Sequence, residues 1–381
     1  MVTRGGSCII DDRRHVYEES IGECIRKIVA GLGEDETIVL DEFQRLPEEY
    51  WDILALKRTD LRGKLILCGS SLGVAGKVFD SNSPLLGLVA PFKIDLISPE
   101  DTIASLSRTL GPREAVLWAV IVRDPWILLF IEPGGDPWRK LVREAYRLSM
   151  TPSSLIGEVF EEEEKQLTRL YDTILRLLAH RYWSPRHLAQ KLYEARLIVA
   201  PNPGVVTGVL SQLERMGLVD KIPLWRTRRN RYYYKHRSPL LSLLTRISEV
   251  VDAGYEPEPE TILYDYSLEL QFFLGELLAK YKKLNLAYTI LPGDLGDIDI
   301  VLIDRRKRPR IAYEVKIGEY RGNEIKRVVE RIRGLGIPYV GLISLSSKPT
   351  NKLVDEAYGP EDIVEIAHSL VKRMETTPPS P

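Results

Sequence analysis

The densest chemistry in the chain lies at 296–319, GDIDIVLIDRRKRPRIAYEVKIGE. Strand side chains alternate between faces, so Asp299 shares a face with Val301, and Glu314 with Lys316. A four-residue hairpin loop over 305–308 would set Asp299 directly opposite Glu314. Facing Cβ atoms across two strands lie roughly 4.5–5.5 Å apart. Two carboxylates at that separation repel unless positive charge joins them. A divalent cation does so, with Mg–O bonds of roughly 2.0–2.1 Å. Lys316, one pleat on, would orient a water or stabilise charge developing on a phosphate. Asp297 competes with Asp299 for this place; register decides between them, and the facing arrangement prefers Asp299. The plain alternative is a solvated hairpin face, because Ile300, Leu302, Tyr313 and Val315 explain the strands without any chemistry.

The elements that must position these groups follow from periodicity. The last domain, 262–375, reads as helix 267–283, strands 287–291, 298–303 and 310–317, helix 322–334 and strand 338–344. An acid on one strand, a short turn, then Glu-x-Lys on the next, all after a helix bearing Glu276 (FFLGELLAKY), resembles the PD-(D/E)xK nuclease superfamily over roughly 262–346. That resemblance implies a restriction-endonuclease-like fold with Glu276, Asp299, Glu314 and Lys316 as catalytic residues. Asp299 and Glu314 would hold Mg²⁺ or Mn²⁺. Many superfamily members keep the fold and lose the activity.

Residues 166–237 carry a different pattern. A helix over 167–179, a second capped by Ser184 with Pro185 at its first position, and a third over 205–216 ended by Gly217 precede two strands around a basic loop. Three helices and a hairpin make a winged helix-turn-helix. The hairpin region carries Arg215, Lys221, Arg226, Arg228, Arg229, Arg231, Lys235 and Arg237, with Trp225, Tyr232, Tyr233 and Tyr234 interleaved. Guanidinium groups suit phosphates and aromatics pack or stack. Arg215, Arg226, Arg228, Arg229, Arg231 and Lys235 are the candidate nucleic-acid contacts. Thr207, Ser211, Gln212 and Arg215 would face a groove from the third helix. DNA is the expected partner; the alternative is a hairpin that is merely solvated or packs on a neighbouring domain.

The front, 1–98, reads as helix 17–32, a buried strand TIVLDEF, a short helix and a second buried strand LRGKLILCGSS. TIVLDEFQRL resembles a Walker B strand, which gives Asp41 to Mg²⁺ and Glu42 to the attacking water. LILCGSS resembles the following strand, with Ser70 sensing the γ-phosphate. Residues 99–165 form a helical segment, and 238–261, ending in the Pro/Glu-rich GYEPEPET, a linker. The whole resembles archaeal ATPases of the AAA-like/STAND kind joined to a winged helix and a PD-(D/E)xK-like domain. The resemblance rests on DEFQ, CGSS, PLLG, GGDPW, RYYYKH and YEVK. It implies an α/β multidomain chain: a partial P-loop ATPase core, a helical lid, a winged helix and a nuclease-like domain.

The departures are specific. The family's glycine-rich phosphate loop, GxxxxGK[ST], has no counterpart, and GKVF at 76–79 stands in the wrong place for one. Leu88 occupies the place of the family's arginine. Poor ATP affinity follows, and the front reads as truncated or as a degenerate pseudo-ATPase. Missing first strands would expose a sheet edge, which predicts pairing with another copy. An ATP-dependent switch and a non-enzymatic DNA-binding regulator or adaptor are the competing readings.

Composition sets outer bounds. Lys and Arg number 53 against 54 Asp and Glu, so global charge names no partner. Three unpaired-looking cysteines argue against a disulfide scaffold or zinc knuckle and suit a reducing, cytoplasmic setting. Five scattered histidines mark no metal site. No signal peptide or membrane-length apolar run is visible; 115–131 comes nearest and contains Arg123 and Asp124. Scarce Asn, Gln and Cys with abundant Glu, Arg, Leu and Ile suit a thermophile.

Overall fold

A computed structural model describes residues 2–4, 7–12, 15–30, 37–56, 63–69, 77–152, 154, 165–227, 231–290 and 297–375. The chain is mixed α/β and divides into two units, 1–94 with 158–163, and 95–157 with 164–381. Among the described residues no helix is long and apolar enough to cross a membrane.

In the first unit β1 (Val2–Arg4), β2 (Ser7–Asp12) and β3 (His15–Ser20) form an antiparallel sheet that leads into α1 (Ile21–Ala30). The helix expected over 17–32 therefore begins later, because 17–20 pair with β2. Cys24 is disulfide-bonded and Cys68 is free, a pairing that the cysteine spacing did not announce. β4 (Thr37–Leu40) and β5 (Lys64–Leu67) pair in parallel, with α2 (Trp51–Leu56) between them in sequence. Both strands were expected to be buried. Instead Val39 is 55% and Ile66 45% exposed, and the local core gathers around Ile25, Phe43, Trp51 and Leu54.

The second unit opens with α3 (Pro99–Leu106), α4 (Pro112–Val122), α5 (Pro137–Arg143) and α6 (Ala145–Leu148). Then come α7 (Lys165–Ala179), α8 (Pro185–Glu194) and α9 (Pro203–Arg215), and the hairpin β6 (Val219–Pro223) with β7 (Tyr232–His236). The span expected as a linker is largely α10 (Pro239–Asp252), whose Leu240, Leu243, Leu244 and Ile247 are buried in the main core. Its apolar seam ends in AGYEPEPE, and the flanking Gly and Pro conceal how much of 238–261 is helix. Ser98-Pro99, Ser184-Pro185, Asn202-Pro203 and Ser238-Pro239 open α3, α8, α9 and α10 alike. In each, a side-chain oxygen accepts an N–H of the first turn while proline occupies a position that lacks an intrahelical partner.

A five-stranded sheet completes the unit in the order β12 (Glu356–Tyr358), β11 (Tyr339–Ser344), β10 (Pro309–Lys316), β9 (Ile300–Ile303), β8 (Asn285–Ala287). The β8–β9–β10 pairs are antiparallel, and β10–β11–β12 are parallel. Helices cover both faces. Ile300, Leu302, Ile311, Tyr313 and Ile343 meet α11 (Pro259–Lys282) and α13 (Pro360–Glu375). Val301, Ile303, Ala312, Val340 and Leu342 meet Ile325, Val329 and Ile332 of α12 (Gly322–Gly334). The expected helix 322–334 is thus present as expected. The helix expected over 267–283 starts two turns earlier. Two glycines set the packing: a Cβ on Gly275 would stand 2.7 Å from Leu286, and one on Gly341 would stand 2.2 Å from the Tyr313 ring.

Candidate active site

The β9–β10 hairpin is built by its loop. Asp304 accepts the backbone N–H groups of Arg306 and Arg308, each at 2.9 Å, and Lys307 takes a left-handed φ of 59°. The ladder shifts by one residue between Pro309 and Ile311, then runs Ile311↔Leu302, Ala312↔Val301, Tyr313↔Ile300. Extending that register by one step sets Glu314 against Asp299. The Val315 N–H donates to Asp299 Oδ2 at 2.7 Å, which closes the ladder with a side chain.

Asp299 and Glu314 lie on the sheet face that α12 covers. Arg331 of α12 donates from Nη2 to both Glu314 carboxylate oxygens at 2.7 Å. Burial pushes the Asp299 carboxyl up to about 8; the charge of Glu314 adds to the rise, while the Val315 N–H and Arg331 oppose it. Burial raises Glu314 too, against the pull of Arg331. The guanidinium grips Glu314 directly, so Glu314 is the ionised member and Asp299 the one that keeps its proton.

Lys316 donates to Glu324 Oε2 at 2.7 Å, and its ammonium stands 5.6 Å from the Tyr320 ring centroid. Glu324 also accepts the Arg321 N–H at 3.1 Å, so Lys316 is tied to the first turn of α12. The Tyr320 hydroxyl is buried without a hydrogen-bond partner beside this cluster. Burial, followed by the charges of Glu314 and Asp299, raises its pKa. Asp297 accepts from the Tyr288 hydroxyl at 3.1 Å and is the more exposed of the two aspartates.

Glu276 does not join the pair. Its helix, α11, packs on the opposite sheet face, and its carboxylate takes a two-point ion pair from Arg123 at 2.7 and 3.1 Å. Among the described residues no group of three or more His, Cys, Asp or Glu has metal-holding geometry. Asp299 and Glu314 facing each other offer carboxylate oxygens as donors. That set fits Mg²⁺ or Mn²⁺, which protein sites commonly hold through one or two carboxylates plus waters and phosphates.

Sequence reading missed Arg331 and Tyr320. Arg331 lies seven residues after Glu324, on the same strip of α12, beside the Ile325–Val329–Ile332 seam that faces the sheet. That spacing was the available signal.

The basic hairpin divides into two sides. Lys235, expected to contact nucleic acid, is instead buried; it pairs with Glu269 at 2.9 Å and donates to the His236 carbonyl. An apolar stem needs a partner for its charge, and Glu269 on α11 provides one. Tyr233 stacks on Trp183 at 5.6 Å and meets Tyr288 edge-on at 4.7 Å. His236 is buried, donates to the Leu175 carbonyl at 2.7 Å, and is lowered to about 4 by burial. The hairpin end joins β8: Trp225 N donates to Tyr288 O and Tyr288 N to Pro223 O, both at 2.9 Å. The aromatics here form a dock, which is the packing alternative realised on one side.

Arg215, Arg226 and Arg231 are exposed on the other side. Arg226 stacks over Trp225 with φ at 60°, and Arg215 donates to Gln212. Thr207 and Ser211 are exposed on α9. The expected contacts Arg228 and Arg229, and the expected sensor Ser70, lie outside the described residues.

In the first unit Asp41 and Glu42 stand at the end of β4, where Phe43 N donates to Cys68 O at 2.8 Å. Glu42 adopts φ 52° and pairs with Arg45 at 3.5 Å. No family model, no curated protein and no solved structure matches the chain.

Proposed function

We propose that the chain is a nucleic-acid-binding protein whose C-terminal sheet carries a Mg²⁺- or Mn²⁺-dependent phosphodiester-cleaving site. The observation that carries this reading is the Asp299–Glu314 pair, facing across β9 and β10 with Lys316 one pleat on. A bound divalent cation would supply an activated water and charge stabilisation at the phosphate. Asp299 and Glu314 would hold it, and Lys316 would stabilise charge at the phosphate once freed from Glu324. The three-helix-and-hairpin segment would be a winged helix presenting Arg215, Arg226, Arg231, Thr207 and Ser211 to a duplex, together with Arg228 and Arg229. Glu276 would have no part in the site, given its pairing with Arg123.

The test is cleavage of labelled duplex, branched and single-stranded DNA with Mn²⁺. Loss of at least about 100-fold in Glu314→Ala is expected; equal cleavage by both proteins would remove the assignment.

A second reading is a DNA-binding regulator in which the sheet is an inert platform. It is favoured by the intramolecular partners of Glu314, Lys316 and Glu276, which are Arg331, Glu324 and Arg123. It predicts DNA binding that weakens steeply with salt and no cleavage by either protein.

In the first unit, Asp41 and Glu42 at the end of a parallel strand pair support a relic of a P-loop ATPase core. An ATP-dependent switch is the alternative, and it would require a glycine-rich phosphate loop with its lysine joined to this remnant. Val39 and Ile66, apolar and exposed on one sheet face, support contact with a second copy there. Light scattering should show a mass that rises with concentration, and Val39→Lys should return it to the monomer value.

A further inference from the structure

The Arg331 guanidinium occupies the place a cation would take. One nitrogen, Nη2, stands 2.7 Å from each Glu314 oxygen, and so on the bisector of the carboxylate. A divalent cation held by Glu314 would have to come within roughly 2.0–2.1 Å of a carboxylate oxygen in the case of Mg²⁺, where the guanidinium nitrogen now stands. The two cannot be there together. The site is therefore neutralised from within, by a side chain on a long stem rooted in α12 rather than on the catalytic strands.

We propose that Arg331 is a latch on the cation site: a divalent ion enters only as the guanidinium swings off Glu314. The released guanidinium is then a two-point phosphate binder at the edge of the same site. Cation loading and phosphodiester binding thus favour each other through one residue, since each removes or replaces the contact that opposes the other. This rests on the carboxylate pair being the cation site proposed above. The packing of α12 agrees with it. Ile325, Val329 and Ile332 are buried against the sheet, so the helix stays in place while the Arg331 side chain moves.

The experiment is Mn²⁺ binding to the full chain by calorimetry and by electron paramagnetic resonance, with no nuclease readout. Wild type is compared with Arg331→Met, Arg331→Lys and Glu314→Gln, and each is titrated alone and with a cleavage-resistant phosphorothioate duplex. Arg331→Met should bind Mn²⁺ at least tenfold more tightly than wild type. The duplex should tighten Mn²⁺ binding in wild type and leave Arg331→Met unchanged. Arg331→Lys keeps the charge on a shorter reach and loses the fork that would bind phosphate at two points, so it should fall between them, and it carries the test if Arg331→Met does not fold. Equal affinity in wild type and both Arg331 variants, with Glu314→Gln weakened, overturns the latch and leaves the cation site standing. Binding that is absent throughout, or unchanged in Glu314→Gln, overturns the cation site and the latch with it.

Discussion

Twice an apolar strand is bordered by acids. Asp41 and Glu42 follow β4 in the first unit, and Asp299 precedes β9 to face Glu314 on β10 in the second. The sequences are similar in kind: TIVLDE in one, DIVLID in the other. Their surroundings differ. The β4–β5 sheet has two strands and leaves Val39 and Ile66 half exposed, so Asp41 stands in water. The other sheet has five strands with helices on both faces, and its carboxylates are withdrawn from solvent against α12. Burial raises the cost of charge and so raises the proton affinity of Asp299 and Glu314, and Glu314 meets it with the Arg331 guanidinium. The chemistry comes from the second layer of helices, not from the acids themselves.

That contrast is sharpest in stability. Glu314→Ala removes the half-buried carboxylate that Arg331 contacts at both oxygens and should cost about 1.5–3 kcal/mol in urea unfolding. Asp41→Ala removes a solvated charge and should stay within about 0.5 kcal/mol. Similar costs at both sites would break the comparison.

A second contrast lies in pH. Folded Asp299 keeps its proton up to about pH 8, whereas an unfolded aspartate loses it near about pH 4. Folding therefore takes up a proton in that window, and the contribution of this group falls as pH rises from about 4 to 8. With chelator present, Asp299→Asn should flatten the wild-type decline over that range, while Asp41→Asn should leave its slope alone.

The smallest effect concerns backbone. Glu42 sits in the left-handed region at φ 52°, which disfavours side chains with a Cβ. Glu42→Gly should raise the stability of the first unit by about 0.5 kcal/mol once the added freedom of the unfolded chain is deducted. A loss of stability would mean that the Glu42–Arg45 pair at 3.5 Å matters more than its exposure suggests.

The carboxylate hairpin was legible in sequence because two apolar runs, IVLI and IAY, flank a short polar loop, so one loop length fixes which residues face each other. The shift at Pro309 falls between the loop and the site and leaves that register intact. The helix over 322–334 was legible from its apolar seam. Arg331 was not, because it is one of several exposed-looking cations on a basic helix, and only the sheet beneath tells its side from the rest. Lys235 misled for the mirrored reason: its charge reads as surface until Glu269, 34 residues away in sequence, is seen beside it. Glu276 lies on a helix with apolar residues on nearly all sides, so periodicity could not say which face it takes, and Arg123 decides.

The junction of the basic hairpin with β8 has a mechanical meaning. Two backbone hydrogen bonds between 223–225 and Tyr288, with the Trp183–Tyr233–Tyr288–Phe272 aromatic cluster behind them, join the basic hairpin to the sheet that carries the carboxylate hairpin as one frame. A nucleic acid seated on the basic hairpin would meet Asp299 and Glu314 at a set distance along its backbone, so the frame would act as a ruler, and the offset between grip and cut would be a constant of the fold.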